Sequence, residues 1–216
     1  MAITVAAGLS VAACGGDDDT KAADPTPTAS PTTQATVDPK EPACSFLTAA
    51  ERKKLVGSAI DQVVATSGTP DSSQCRWQAS SALIQVTTVP APAWAKSLPS
   101  VVAELEKSGD IRTSADKKEL ARAKKLVAGA DSFSGQQACD AFTTLAEIGG
   151  AKKGATTTIT LVPISKAESG ISAQTCTSGQ LTSLIYSVPG LERSKQVDGA
   201  VTTALAAAQR RALAIR

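Results

Sequence analysis

The chain has 216 residues, with 22 Lys and Arg against 20 Asp and Glu (formal net charge +2), and is 42% apolar but only 3% aromatic. It contains no histidine, which removes the commonest general base, proton shuttle and metal ligand and excludes Ser–His–Asp and Cys–His catalysis. Its five cysteines leave one over after pairing, and an odd cysteine in a secreted chain needs a role of its own.

Ala2 to Ala13 form an apolar run of about 12 residues, short of the ~20 that span a bilayer as a helix. The run ends in Val11-Ala12-Ala13-Cys14, the pattern of a bacterial lipobox. Small side chains at the scissile bond suit the signal peptidase, and the Cys14 thiol would take the diacylglycerol. No Lys or Arg precedes the run, so the basic n-region of a signal is missing from these residues. Residues 1–13 are read as a lipoprotein signal peptide and Cys14 as the acylated, palmitate-bearing residue. A single acyl chain holds a membrane only marginally, and a diacyl or triacyl cysteine would hold it stably. The expected location is the extracytoplasmic face of the cell membrane.

Residues 14–43 follow as a Gly-, Asp-, Pro- and Thr-rich stretch with almost nothing to bury, and are expected to form a disordered tether. Residues 1–43 carry two lysines against six acids, whereas residues 44–216 carry 20 basic and 14 acidic side chains. An acidic tether thus leads into a basic domain. Arg52-Lys53-Lys54 and Lys124-Lys125 read first as solvated helix faces, and otherwise as a surface for anionic partners.

The domain opens at Cys44. Thr48 and Glu51 have capping-box spacing, and Gly57 supplies a helix stop. Three strand-like runs follow: Ile60 to Thr66, Gln74 to Ala79 with Cys75 and Trp77, and Ala82 to Val89 with Ala82, Ile84 and Val86 on one face. A helix starts near Pro99 with Leu98, Val101, Val102 and Leu105 in one stripe.

The pattern Pro42-x-Cys44-x-x-Leu47-Thr48-x-x-Glu51, a helix ending in Gly57, and then Cys75-Arg76-Trp77 resembles an actinobacterial family of secreted lipoproteins, the domain of unknown function numbered 3558. The resemblance covers residues 42–90 and is loose beyond. It implies a lipobox, a Pro/Ser/Thr-rich tether and a paired-cysteine domain, and it brings no catalytic residues.

In the second half, Asp116 to Val127 reads as a helix with Asp116 and Glu119 spaced as an N-cap pair. Cys139 to Glu147 resembles the opening of the first half, with Thr144 and Glu147 in capping-box spacing. Strand-like runs cover Thr156 to Ile164, Ile171 to Thr177 and Gln180 to Val188, and Pro163 marks the first of them as an edge strand. From Ser194 a long amphipathic helix presents Val197, Ala200, Val201, Ala204, Leu205 and Ala208 on one face.

These elements predict an α+β fold of two similar helix–three-strand–helix halves, residues 44–109 and 139–216. The strands form two antiparallel meanders with the helices packed on one face; the alternative is one continuous six-stranded sheet without a true repeat. Four domain cysteines allow three connectivities. Cys44–Cys75 and Cys139–Cys176 are expected, since each ties a first helix to the middle strand of its own half, at roughly 3–4 kcal/mol per bond.

No phosphate loop, zinc motif or histidine-based nucleophile is present; a Ser–Lys dyad such as Ser165-Lys166 is what the sequence leaves for an enzyme, the third and least favoured reading. No cofactor, metal or nucleic acid is expected. Trp77 is expected to pack on its disulfide. Trp94, in a loop after Pro92, reads as a lid on the core or a ligand contact, and Tyr186 is the other candidate ligand-binding aromatic. The expected function is non-enzymatic: a cell-envelope lipoprotein that binds a small, lipidic or wall-derived ligand in a groove beside Trp94. The alternative is a protein-interaction or sensor module docking on another envelope protein through Arg122, Lys124 and Lys125.

Overall fold

The computed structural model describes residues 38–69, 72–108, 111–165 and 168–215. The expected signal peptide, Cys14 and the expected tether up to residue 37 lie outside them. Residues 38–43, assigned above to the tether, are already part of the folded domain. The Asp38 N–H donates to Thr66 Oγ1 and the Ala43 N–H to Ser73 Oγ, and Ala43 is fully buried.

A 3₁₀ turn at Pro42–Ser45 leads into α1 (Ala49–Val56). Thr48 and Glu51 form the expected capping box, and Gly57 ends the helix in the left-handed region at φ 80°, where a side chain would be strained. Strands β1 (Val63–Thr69), β2 (Ser72–Gln78) and β3 (Leu83–Pro90) follow. Next come the short α2 (Ala91–Ala95), α3 (Leu98–Lys107) and α4 (Ser114–Val127). The second half contains α5 (Gly135–Ile148), β4 (Thr157–Pro163), β5 (Ser169–Thr177), β6 (Gln180–Ser187) and α6 (Lys195–Ala214).

Two helix starts differ from the sequence expectation. Thr113 caps α4, with Asp116 as its reciprocal N3 partner. Ser134 caps α5 in a box with Gln137. Thr144 lies inside α5, where its hydroxyl donates to the Asp140 carbonyl. Cys139 therefore sits within the helix rather than before it.

The strands form one antiparallel six-stranded sheet in the order β1-β2-β3-β6-β5-β4. Two meanders, one from each half, join through the β3–β6 pair. The α+β class, the antiparallel pairing and both disulfides, Cys44–Cys75 and Cys139–Cys176, are as expected.

The helices do not share one face. Cys75, Trp77, Ile84, Val86, Ile171, Ala173, Leu184 and Tyr186 point into a core closed by α6 and by the turn carrying Phe46 and Leu47. Val89, Leu181 and Cys176 point the other way, into a second core built by α2, α3, α4 and α5. The parity of the residues explains this. Ile84 and Val86 stand an odd number of positions from Val89, as Leu184 does from Leu181 and Ala173 from Cys176, so each group faces the opposite side of the pleat. The first half thus has its leading helix on one face and the second half on the other. The two disulfides also lie on opposite faces, which breaks the similarity of the halves.

Charged residues fasten the first core. Arg52, expected on a solvated face, is buried. It donates to the Ile60 and Leu47 carbonyls, pairs with Asp61 and stacks 4.8 Å above the Trp77 ring centroid. Arg211 of α6 donates to the Phe46 carbonyl and to both carboxylate oxygens of Glu51. Burial pushes the Glu51 carboxyl up, but Arg211 and the N–H and hydroxyl of Thr48 outweigh it and hold its pKa at about 2.

Candidate ligand-binding cleft

Beyond the second core, the face carrying Val89, Leu181 and Cys176 turns polar. Pairing register places Gln74, Thr87, Ser183, Gln174 and Thr158 in one row across the sheet, and Arg76, Gln85, Ile185, Ser172 and Thr160 in the next. On the β5–β4 side this polar floor runs beneath α5 and forms a cavity of about 690 Å³, within the ordinary range of ligand sites.

Trp94, Phe142, Leu145 and Ala146 supply an apolar wall, and Thr158, Thr160, Ser172 and Gln174 a polar floor. Trp94 belongs to α2 rather than to a loop, and the turn Pro90-Ala91-Pro92 positions it. The Ala91 N–H donates to the Gly179 carbonyl in the β5–β6 turn, and the Ser97 hydroxyl donates to the Trp94 carbonyl. The indole meets the Phe142 ring edge-on, with centroids 5.8 Å apart. Trp94 is 8% exposed, and its Nε1–H is buried without a hydrogen-bond partner.

The rim is a tight loop after α5. The Ala151 N–H donates to the Ala146 carbonyl, and the Gly154 N–H to Glu147 Oε1 at 2.7 Å. Glu147 therefore shapes the rim and plays no capping role. Close packing sets the wall at its other end. A Cβ on Gly135, the first residue of α5, would lie 2.9 Å from the Gly179 Cα, so the helix start rests directly on the hairpin turn. Cys139–Cys176 then bonds the same helix to β5.

Both charged lining residues, Lys152 and Arg193, are cations. Arg193 Nε donates to both carboxylate oxygens of Asp198. Among the described residues no cluster of Cys, Asp and Glu could hold a metal ion, and no helix is long and apolar enough to cross a membrane.

The structure separates the two candidate aromatics. Trp94 lines the cleft, whereas Tyr186 is 2% exposed in the core on the opposite face. Burial, with Asp198 nearby, raises its hydroxyl pKa above the ordinary value. Trp77 packs in the same core as Cys75, as expected. On α4, Lys124 is paired with Glu106 at 2.6 Å, which partly neutralises the basic patch. Sequence reasoning missed Phe142, Leu145, the β4 residues and Arg193. The edge signal at Pro163 and the polar alternation of Ser172 and Gln174 were the available clues. No family model, curated protein or solved structure matches the chain.

Proposed function

We propose that this chain is a membrane-anchored cell-envelope lipoprotein whose folded head binds a small, lipidic or wall-derived ligand in the cleft under α5, without catalysing a reaction. The cleft carries the reading: an apolar wall that includes Trp94 faces a polar floor of Thr158, Thr160, Ser172 and Gln174. Such a site suits an amphipathic ligand and contains no paired acid and base.

The anchor rests on the lipobox pattern at Cys14 and on the resemblance to the lipoprotein family. Two disulfides agree with an oxidising compartment. Mass spectrometry of the mature protein extracted from membranes should find a lipid-modified Cys14 at its N-terminus. A mature chain beginning elsewhere contradicts the anchor.

For the cleft, the full chain carrying Cys14→Ser, which cannot be acylated, is titrated calorimetrically with 1-lauroylglycerol, a neutral amphiphile. Trp94→Ala should weaken binding by about tenfold, the loss of a buried contact worth ~1.4 kcal/mol, with little dependence on salt. Unchanged affinity in Trp94→Ala contradicts the reading. Envelope-protein binding that fades with salt as screening shortens, and that needs Arg122 and Lys125, supports the docking alternative.

A further inference from the structure

Thr157, Thr158, Ile159, Thr160 and Leu161 are consecutive, and all five line the cleft. Side chains alternate between the faces of a strand, so a cavity on one face would meet only every second residue. This cavity lies against the edge of β4.

Among the described residues β4 ends the sheet and pairs with β5 alone. The Cys176 N–H donates to the Thr156 carbonyl, and at the far end the Ile164 N–H donates to the Glu168 carbonyl. The two-residue period of an antiparallel ladder then turns the backbone groups of Thr158, Thr160 and Val162 toward β5, and those of Thr157, Ile159 and Leu161 outward. Pro163 falls in the outward register, where its missing N–H costs no ladder bond. The cleft thus contains three outward-facing backbone amides in addition to its side chains.

Resting on the cleft as a binding site, but replacing the small or lipidic occupant, we propose that it takes an extended peptide segment of another envelope polypeptide, added to β4 as a seventh strand. An acyl chain would leave the three amides without partners, and a desolvated, unpaired amide is costly; an added strand pairs them. The walls set its sequence. On one side of the β4 edge stand Trp94, Phe142 and Leu145, and on the other Arg193 and Thr202. Alternate residues of the added strand would therefore be apolar toward α5 and acidic toward Arg193. Arg193 uses Nε on Asp198, and a guanidinium carries two further donor nitrogens. Lys152 on the rim adds a second cation.

Two other occupants fit less well. A second copy would offer β4 itself, Thr-Thr-Ile-Thr-Leu-Val-Pro, which brings no acid to Arg193. The chain's own residues 1–37 divide into an apolar run without acids and an acidic, Pro- and Thr-rich stretch whose only apolar side chain larger than alanine, prolines aside, is Val37, so no part of them alternates apolar with acidic residues.

The test titrates Ac-Val-Glu-Val-Glu-Val-amide into the full chain carrying Cys14→Ser. N-methylating the peptide amides of one alternation parity should weaken binding by about tenfold, while the other parity changes it by no more than about twofold, because only one parity faces β4. Leu161→Pro removes one outward N–H at a half-exposed edge position. It should weaken binding by about tenfold and leave the melting temperature close to that of the parent.

Equal sensitivity to both N-methylated peptides overturns strand addition. So does binding of 1-lauroylglycerol, lost in Trp94→Ala, by a chain that ignores the peptide; in that case the cleft reading survives. A β4-paired dimer that Leu161→Pro dissociates replaces the partner with a second copy. Binding of neither probe removes the cleft reading as well.

Discussion

The two edges of the sheet are treated differently. At β1 the ladder is irregular between Val63 and Ala65, and the segment entering the domain lies across the strand. Asp38 and Ala43 donate to Thr66 and Ser73, and the Glu41 carboxylate sits so close to Gly68 that a Cβ there would be 2.5 Å from Oε2. Cys44–Cys75 then bonds this segment to β2. At β4, no described segment covers the edge, and a cavity runs along five of its residues. An open edge invites unwanted pairing, and folds normally blunt it. Among the described residues the β1 edge is thus guarded by an irregular ladder, a covering segment and a disulfide, and the β4 edge only by Pro163 at its end; strand addition at β4, as proposed above, would account for the difference.

Removing the guard should make the edges alike. Cys44→Ala with Cys75→Ala should cost about 3 kcal/mol in the chain-entropy view and free residues 38–45 from β2. Denaturant titration measures the loss, and light scattering should detect new self-association through β1. A monomeric variant of unchanged stability contradicts the guarding role.

A smaller effect is expected from Glu51→Gln, which loosens the clamp between α1 and α6. Gln can still serve as the N3 partner of the capping box, so loss of the partly exposed Arg211 ion pair should cost about 1 kcal/mol at neutral pH. The Glu51 pKa is depressed to about 2, so its contribution is complete above the ordinary carboxylate value and disappears as pH falls from there through about 2. The parent should lose stability across that window more steeply than Glu51→Gln, and parallel curves contradict the clamp.

The smallest effect is Thr66→Val, which deletes the acceptor for the Asp38 N–H at a cost of no more than about 1 kcal/mol. It should speed amide exchange at Asp38 while leaving β4 unchanged.

Much of the fold could be read from local chemistry. Thr48 and Glu51 announce α1 because both halves of the capping box are in the sequence, and the alternation of Ile84 with Val86 announces β3. Ser134 and Gln137 form an equally regular box. Thr144 and Glu147 repeat the same spacing ten residues later, inside the same helix, and only tertiary packing decides between the two boxes. The two-faced sheet was also encoded, in the odd step from Val86 to Val89 and from Leu184 to Leu181. That shift of parity is visible only once register is known, because a single apolar residue out of phase looks like noise. Trp94 was singled out for its scarcity, and it does line the cleft. Its neighbours were not identifiable, because Phe142 and Leu145 belong to an ordinary amphipathic face of α5. The cleft arises where that helix passes beyond the apolar row and over the polar one. The open edge of β4 depends on strand order, which no local pattern specifies.

The most direct test is residue-resolved hydrogen exchange along β4 in the full chain carrying Cys14→Ser, with and without saturating Ac-Val-Glu-Val-Glu-Val-amide. Without peptide, the amides of Thr158 and Thr160 should be protected by β5, and those of Thr157, Ile159 and Leu161 should exchange freely. Saturation should slow those three by about tenfold or more and leave Thr158 and Thr160 as they were. Protection confined to side-chain contacts near Trp94, with Ile159 and Leu161 still exchanging freely, would contradict the account.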